Sequence, residues 1–113
     1  MKATQQKPPA ERKCPYAESI KLVGNKWSLQ IIKELHLNNR PMRFNEFMKA
    51  LKPVSSKTLA AKLKELSGCG VIKKQIVSET PVIIRYSLTE KGKELTPVLD
   101  IMANWNRKWE NRK

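Results

Sequence analysis

A change of hydrophobic period past the middle of the chain restricts the fold more than any other feature. Up to Gly70, apolar residues recur three and four apart. In "VIKKQIVS" and "VIIRYSLT" they become β-branched runs separated by "ETP". In the second run Val82, Ile84, Tyr86 and Leu88 alternate with Ile83, Arg85 and Ser87, the period of two that a strand imposes. After Thr89 the helical period returns, with Leu95, Val98, Met102, Trp105 and Trp109 marking a long helix. Pro97 is expected to kink that helix or to divide an entry turn from its main body. One hairpin in an otherwise helical chain of 113 residues describes a mainly α domain with a single modest core.

Four helices are predicted before the hairpin. The first spans Pro15 to Val23, with Pro15 where a missing N–H costs nothing and Tyr16, Ile20 and Val23 on one stripe. Gly24-Asn25 interrupts it, and the second runs from Lys26 to about Leu37 with Trp27, Ile31, Ile32 and Leu35 inward. A short third helix carries Phe44, Phe47, Met48 and Leu51 at i, i+3, i+4 and i+7. Asn45 is expected to cap its start, and Pro53 to prevent its continuation. The fourth lies in "SSKTLAAKLKELSGCG", with Ser55 or Ser56 as cap and Gly68 or Gly70 as stop. Two short helices joined by a tight turn form a helix-turn-helix, and a hairpin directly behind it is a wing.

Wound at about 100° per residue, the fourth helix gathers Leu59, Leu63 and Leu66 within about 60° of one another. Lys57, Ala61 and Lys64 fall opposite, flanked by Thr58 and Glu65, with Ser56 at the N-terminal end and Lys62 to one side. Small, hydroxyl and Lys side chains presented N-terminus first suit a major groove. Thr58 and Ala61 are expected at thymine methyls, Lys57 at a guanine edge, and Lys62 or Lys64 at phosphates. Ser55 and the helix N-terminus offer N–H groups to a phosphate. Charge points the same way. The chain carries 23 Lys and Arg against 10 acidic residues, a formal +13. Between Arg40 and Tyr86 ten basic residues face three acidic ones, so more than half of that excess lies in the candidate reading unit. Arg43 belongs to the same expected set. An anionic polymer is the partner such a distribution fits.

Other chemistries find no footing in these residues. His36 is the only histidine and sits at the end of an apolar helix, where it reads as a helix C-terminal residue. There is no Gly-rich phosphate loop, paired-carboxylate motif or nucleophile elbow, so an enzyme is not expected, nor a cofactor. Two cysteines, Cys14 and Cys69, make neither a disulfide framework nor a zinc site. The polar start "MKATQQKPPAERK" lacks an apolar h-region, and no apolar run reaches membrane-spanning length. The expected setting is the cytoplasm. Residues 1–13 are read as a basic flexible tail, and residues 14–111 as the domain.

In order and spacing, "CPYAESIKLVGNKWSLQIIKEL", "RFNEF", "VSSKTLAAKLKELSGCGVIKK", "PVIIRYSLTEKG" and "LTPVLDIMANW" resemble the HxlR-type winged helix-turn-helix regulators, prokaryotic relatives of the MarR-like repressors. The resemblance implies a homodimeric DNA-binding transcriptional regulator. Its fourth helix, about residues 55–67, would be the recognition helix and its wing, about 72–88, would lie on the backbone. Dimer contacts would come from the first and last helices: Tyr16, Ile20, Leu99, Met102, Trp105 and Trp109. Such a dimer would read an inverted-repeat operator in duplex DNA. The family commonly has two glycines before Lys-Trp. Here they are Gly24 and Asn25, and Asn tolerates left-handed φ, so the turn is expected to survive. The tip "SETP" lacks Arg and Lys, which leaves Lys74 and Arg85 on the wing strands as the expected phosphate contacts. Several members of the family sense electrophiles or oxidants through a cysteine at the Cys14-Pro15 position. The positive end of a helix, with Arg12 and Lys13 beside it, favours the reactive form of that sulfur. The competing reading is a small residue packed at a helix start; Cys69 is read as a turn residue. A small-molecule or oxidant effector fits this picture. Two other classes stay open: a nucleic-acid binder without base readout (nucleoid or RNA), and a winged-helix protein-interaction module.

Overall fold

The structure, a computed structural model, describes residues 14–110. The expected tail, with Arg12 and Lys13, lies outside the described residues, as do residues 111–113 and the side chain of Val23. The elements run α1 (Pro15–Val23), α2 (Lys26–Asn38), α3 (Phe44–Ala50), α4 (Ser56–Gly68), β1 (Ile72–Glu79), β2 (Val82–Leu88) and α5 (Glu90–Glu110). The fold is mainly α with one antiparallel hairpin, as the change of period predicts.

Side chains at the helix ends explain most boundaries. Cys14 holds the N-cap of α1 with Pro15 following. Asn25 caps α2 by accepting the N–H groups of Trp27 at 2.9 Å and Ser28 at 3.3 Å. Its φ of −96° corrects the expected left-handed turn: Asn25 is extended and works as a cap. Gly24 is needed for space instead, because a Cβ there would collide with the carbonyl of Ile20. The left-handed residue is Asn39, φ 52°, at the end of α2. In α3 the N-cap is Arg43, not Asn45. Glu46, three residues on, accepts the Arg43 N–H at 2.8 Å, which is the carboxylate half of a capping box, so Asn45 falls inside the first turn. Ser55 caps α4 through the Thr58 N–H at 3.1 Å, and Gly70 with φ +81° turns the chain into β1.

The core joins Ile31, Ile32 and Leu35 of α2 to Phe47 of α3 and Leu59, Leu63 and Leu66 of α4, closed by Val71 and Ile72 at the base of the hairpin. Trp27, expected inward, is only partly buried at the edge, with the Lys26 ammonium 4.8 Å from its ring centroid. β1 and β2 pair from Ile72↔Leu88 to Ile76↔Ile84, with an irregularity between Ile76 and Ser78. The base is buried, whereas Ile76, Val77 and Val82 near the tip are exposed, so the hairpin projects from the body. Met42 adds a short third rung to β2: its N–H and C=O bond to Tyr86 at 2.9 and 2.8 Å. This ties the entry to α3 to the wing.

α5 starts from a knot of contacts. Thr89 accepts the Gly92 N–H at 3.1 Å and donates its own N–H to Val71 at 3.1 Å. Gly92 lies so close to the Val71 carbonyl that a Cβ would collide with it. The helix then continues unbroken through Pro97, so the expected division does not occur. Pro97 has no N–H for the carbonyl of Lys93, one turn back, and the hydroxyl of Thr96 donates to that oxygen at 2.8 Å in its place.

Candidate nucleic-acid interface

The apolar face of α4 is locked in the core, and this decides what its other face presents. Leu59, Leu63 and Leu66 are at most 1 % exposed, while Ser56, Lys57, Ala61 and Lys64 lie at the surface and Thr58 is half-buried. The N–H groups of Ser56 and Lys57 precede the first intrahelical bond of α4, at the positive end of the helix dipole. The Ser55 hydroxyl is committed to the cap, accepting from the Thr58 backbone and donating to the Thr58 hydroxyl at 3.0 Å. Lys62 is less free than its neighbours. Its ammonium sits 3.2 Å from Glu65, and its side chain is only 23 % exposed.

The hairpin register separates two residues that the sequence grouped. Gln75 pairs with Arg85 and Lys73 with Ser87, whereas Lys74 pairs with Tyr86. With a period of two, Arg85 shares a face with Lys73, and Lys74 lies on the other, so Lys74 and Arg85 do not act from one face of the ladder. Arg85 instead meets Arg43: both line a recess of about 500 Å³ with Arg40, Pro41 and Glu46. There Arg40 grips Glu46 through two contacts, Nη2–Oε2 at 2.8 Å and Nη1–Oε1 at 3.3 Å. The Arg40 hydrogen bond, seconded by the Arg43 N–H, holds the Glu46 carboxyl below the usual glutamate range. Arg40 is correspondingly raised, first by that hydrogen bond. Neither Arg40 nor Glu46 stood out as a site residue in the sequence. The signal that would have found them is a glutamate three residues after Arg43, in position to cap α3.

Cys14 is exposed, and no side-chain hydrogen bond caps α1 there. Cys69 is half-buried in the turn after α4, its sulfur 3.6 Å from the Leu66 carbonyl. Tyr16 and Ile20 on α1 are exposed, as are Met102, Trp105 and Trp109 on α5. Leu99 differs from the other expected interface residues, being half-buried against the core. His36 lies 3.4 Å from Asp100 and joins α2 to α5 beside an open cleft of about 590 Å³ floored by Leu29, Leu37, Leu99 and Met102. Among the described residues no cluster of His, Cys, Asp or Glu could hold a metal ion, and no helix is long and apolar enough to cross a membrane.

Residues 22–113 match the HxlR-like helix-turn-helix family. The HTH-type transcriptional regulator YodB of Bacillus subtilis is 40 % identical over 93 residues, 81 % of each chain. Its reduced form superposes with a TM-score of 0.72 at 39 % identity, covering 83 % of this chain and 91 % of that one; YodB has also been solved diamide-treated and quinone-bound. A MarR-family regulator from Porphyromonas gingivalis gives 0.77 at 34 % identity, covering 89 % and 97 %. The oxidised form of the redox regulator HypR gives 0.76 at 27 %, covering 84 % and 96 %. The family match, the relatives' names and the α3–turn–α4 unit with its hairpin agree: this chain is not an enzyme but belongs to the HxlR-like helix-turn-helix family of transcriptional regulators.

Proposed function

We propose that the protein is a homodimeric, sequence-specific binder of duplex DNA that places α4 in the major groove and the β1–β2 wing against the backbone. The observation that carries this reading is the exposed Lys57, Ala61 and Lys64 face of α4, set opposite a fully buried leucine face. A helix held rigidly by its core side can present its polar side to base edges at low entropic cost. Lys57 is assigned to a base edge, Thr58 and Ala61 to thymine methyls, and Lys64 to a phosphate, with the N-terminus of α4 at a second phosphate. Lys62 plays a lesser part because Glu65 already holds it. Lys57→Ala should cost about 1–3 kcal/mol on the operator and relax preference at one position per half-site. Lys74→Ala should weaken all sequences alike and lower the salt slope by about one. Operators can be selected from a random DNA pool and both variants titrated on operator and random duplexes. Equal losses on the two DNAs for Lys57→Ala would favour binding without base readout. No affinity for nucleic acid at low salt would favour a protein-interaction module.

Regulation by thiol chemistry is the second part of the reading. It is supported by the exposed sulfur of Cys14 at the helix cap and by relatives solved in reduced, oxidised and quinone-bound forms. Diamide or a thiol-reactive quinone should lower DNA affinity in the wild type and leave Cys14→Ser unaffected. Unchanged affinity in a wild type shown to be modified at Cys14 would leave that residue a structural one.

A further inference from the structure

Three arginines from separate parts of the chain meet around one carboxylate, and the helix-turn-helix needs only part of that arrangement. Arg40 follows α2, Arg43 caps α3 and Arg85 lies on β2, yet all three line the same recess with Glu46. Their placement is fixed by backbone: Arg43 follows Met42 and Arg85 precedes Tyr86, the two residues joined by the paired hydrogen bonds of the third rung. Glu46 is the one acidic residue in the lining and is committed to Arg40 and to the Arg43 N–H. No ion pair is formed by the guanidinium of Arg43 or Arg85 among the described residues. Three guanidinium groups thus share a recess with a single carboxylate, an excess of positive charge, and the planar fork of a guanidinium matches phosphate oxygens.

We propose that Arg40, Arg43 and Arg85 form one pocket for a phosphodiester of the DNA backbone, gated by Glu46, which holds Arg40 in reserve until a phosphate competes for it. The proposal rests on the DNA-binding reading above. Arg43 and Arg85 make the first contact. The Arg40–Glu46 pair is open to solvent, its side chains 52 % and 37 % exposed, and exposed pairs are weak enough to exchange partners. A purely structural pair would account for Arg40 and Glu46 but not for two further arginines in the same recess.

The test uses the full chain on operator and random duplexes over a range of salt. Glu46→Gln keeps an amide oxygen for the Arg43 N–H, so the start of α3 is preserved, and it removes the charge that holds Arg40. Affinity should rise several-fold on both DNAs with the salt slope little changed, because the same single phosphate is held in both proteins and only the release of Arg40 from Glu46 is made easier. The double variant Arg40→Ala/Glu46→Gln should lose that gain. A gain that survives loss of Arg40, or no gain at all, would overturn the gate while leaving DNA binding intact. Arg43→Ala and Arg85→Ala should each flatten the slope, and together flatten it hardly more than either alone, since they share a phosphate; additive losses would overturn the single pocket. Arg85→Gln serves if Arg85→Ala shifts the thermal midpoint. Inorganic phosphate should displace DNA no better than chloride at equal ionic strength. Specific displacement that Glu46→Gln strengthens would assign the pocket to free phosphate and overturn the DNA assignment. A wild type that binds no DNA at low salt would remove the DNA reading and the pocket with it.

Discussion

Asn25 satisfies two of the orphan N–H groups of α2 with one carbonyl oxygen, while Gly24 before it gives way to the Ile20 carbonyl. The pair therefore divides two tasks, close passage and capping, that two glycines could meet only in part. Asn25→Ala should cost about 1 kcal/mol, as loss of an N-cap does. Asn25→Asp should retain the stability, because a carboxylate accepts the same N–H groups and faces the positive helix end. Urea denaturation with an unchanged m-value checks both; a neutral Asn25→Ala would show the α1–α2 turn to be held by packing alone. The sequence marks the break at Gly24-Asn25 clearly, but the residue type does not distinguish a left-handed turn from an extended cap. The same ambiguity moved the α3 cap from Asn45 to Arg43. Asparagine is the better cap by preference, yet the start of α3 is set by Met42, tethered to Tyr86 far along the chain. Local propensity does not contain that contact.

At the scale of elements, the hairpin and the four leading helices are legible because each carries its own period and its own punctuation. Pro15, Ser55 and the alternation from Val82 to Leu88 act locally. What is not legible is compensation. Pro97 reads as a break in α5, but the helix passes through it because Thr96 donates to the Lys93 carbonyl that proline leaves unpaired. Thr96 is 8 % exposed, so water replaces that bond poorly. Thr96→Val should therefore destabilise by about 1 kcal/mol. Pro97→Ala restores a backbone donor to the same oxygen and should stabilise. In the double variant Thr96→Val should cost little, since the carbonyl then has the alanine N–H. The non-additivity of the cycle, read from urea midpoints, is the decisive quantity. An undiminished cost in the double variant would mean that Thr96 acts by packing and not by satisfying Lys93.

For the whole molecule, the distribution of apolar surface carries the argument. Val98, Ile101, Met102, Trp105 and Trp109 are exposed along one stripe of α5, with Ile101 at 66 % and Trp105 at 65 %; Tyr16 and Ile20 add a second exposed patch on α1. A chain carrying a formal +13 gains solubility from charge, so a stripe of this size on its terminal helix calls for a partner surface. An isologous contact between two copies would cover both stripes at once and orient two α4 helices about a two-fold axis. Leu99 holds α5 to the core, so the stripe is carried on a helix already anchored to the helix-turn-helix body. Ile101→Glu/Trp105→Glu should give a monomer in sedimentation at micromolar concentration. It should retain most of the unfolding free energy of a single subunit, because neither side chain belongs to the core. On DNA the two effects separate. A duplex with one half-site should bind the variant monomer about as well as it binds one wild-type subunit. An inverted repeat with centres roughly 34–36 Å apart should lose the large gain that comes from making the second contact intramolecular. A wild type that sediments as a monomer and binds the repeat no better than the half-site would overturn the dimer, and the apolar stripe of α5 would then need another partner.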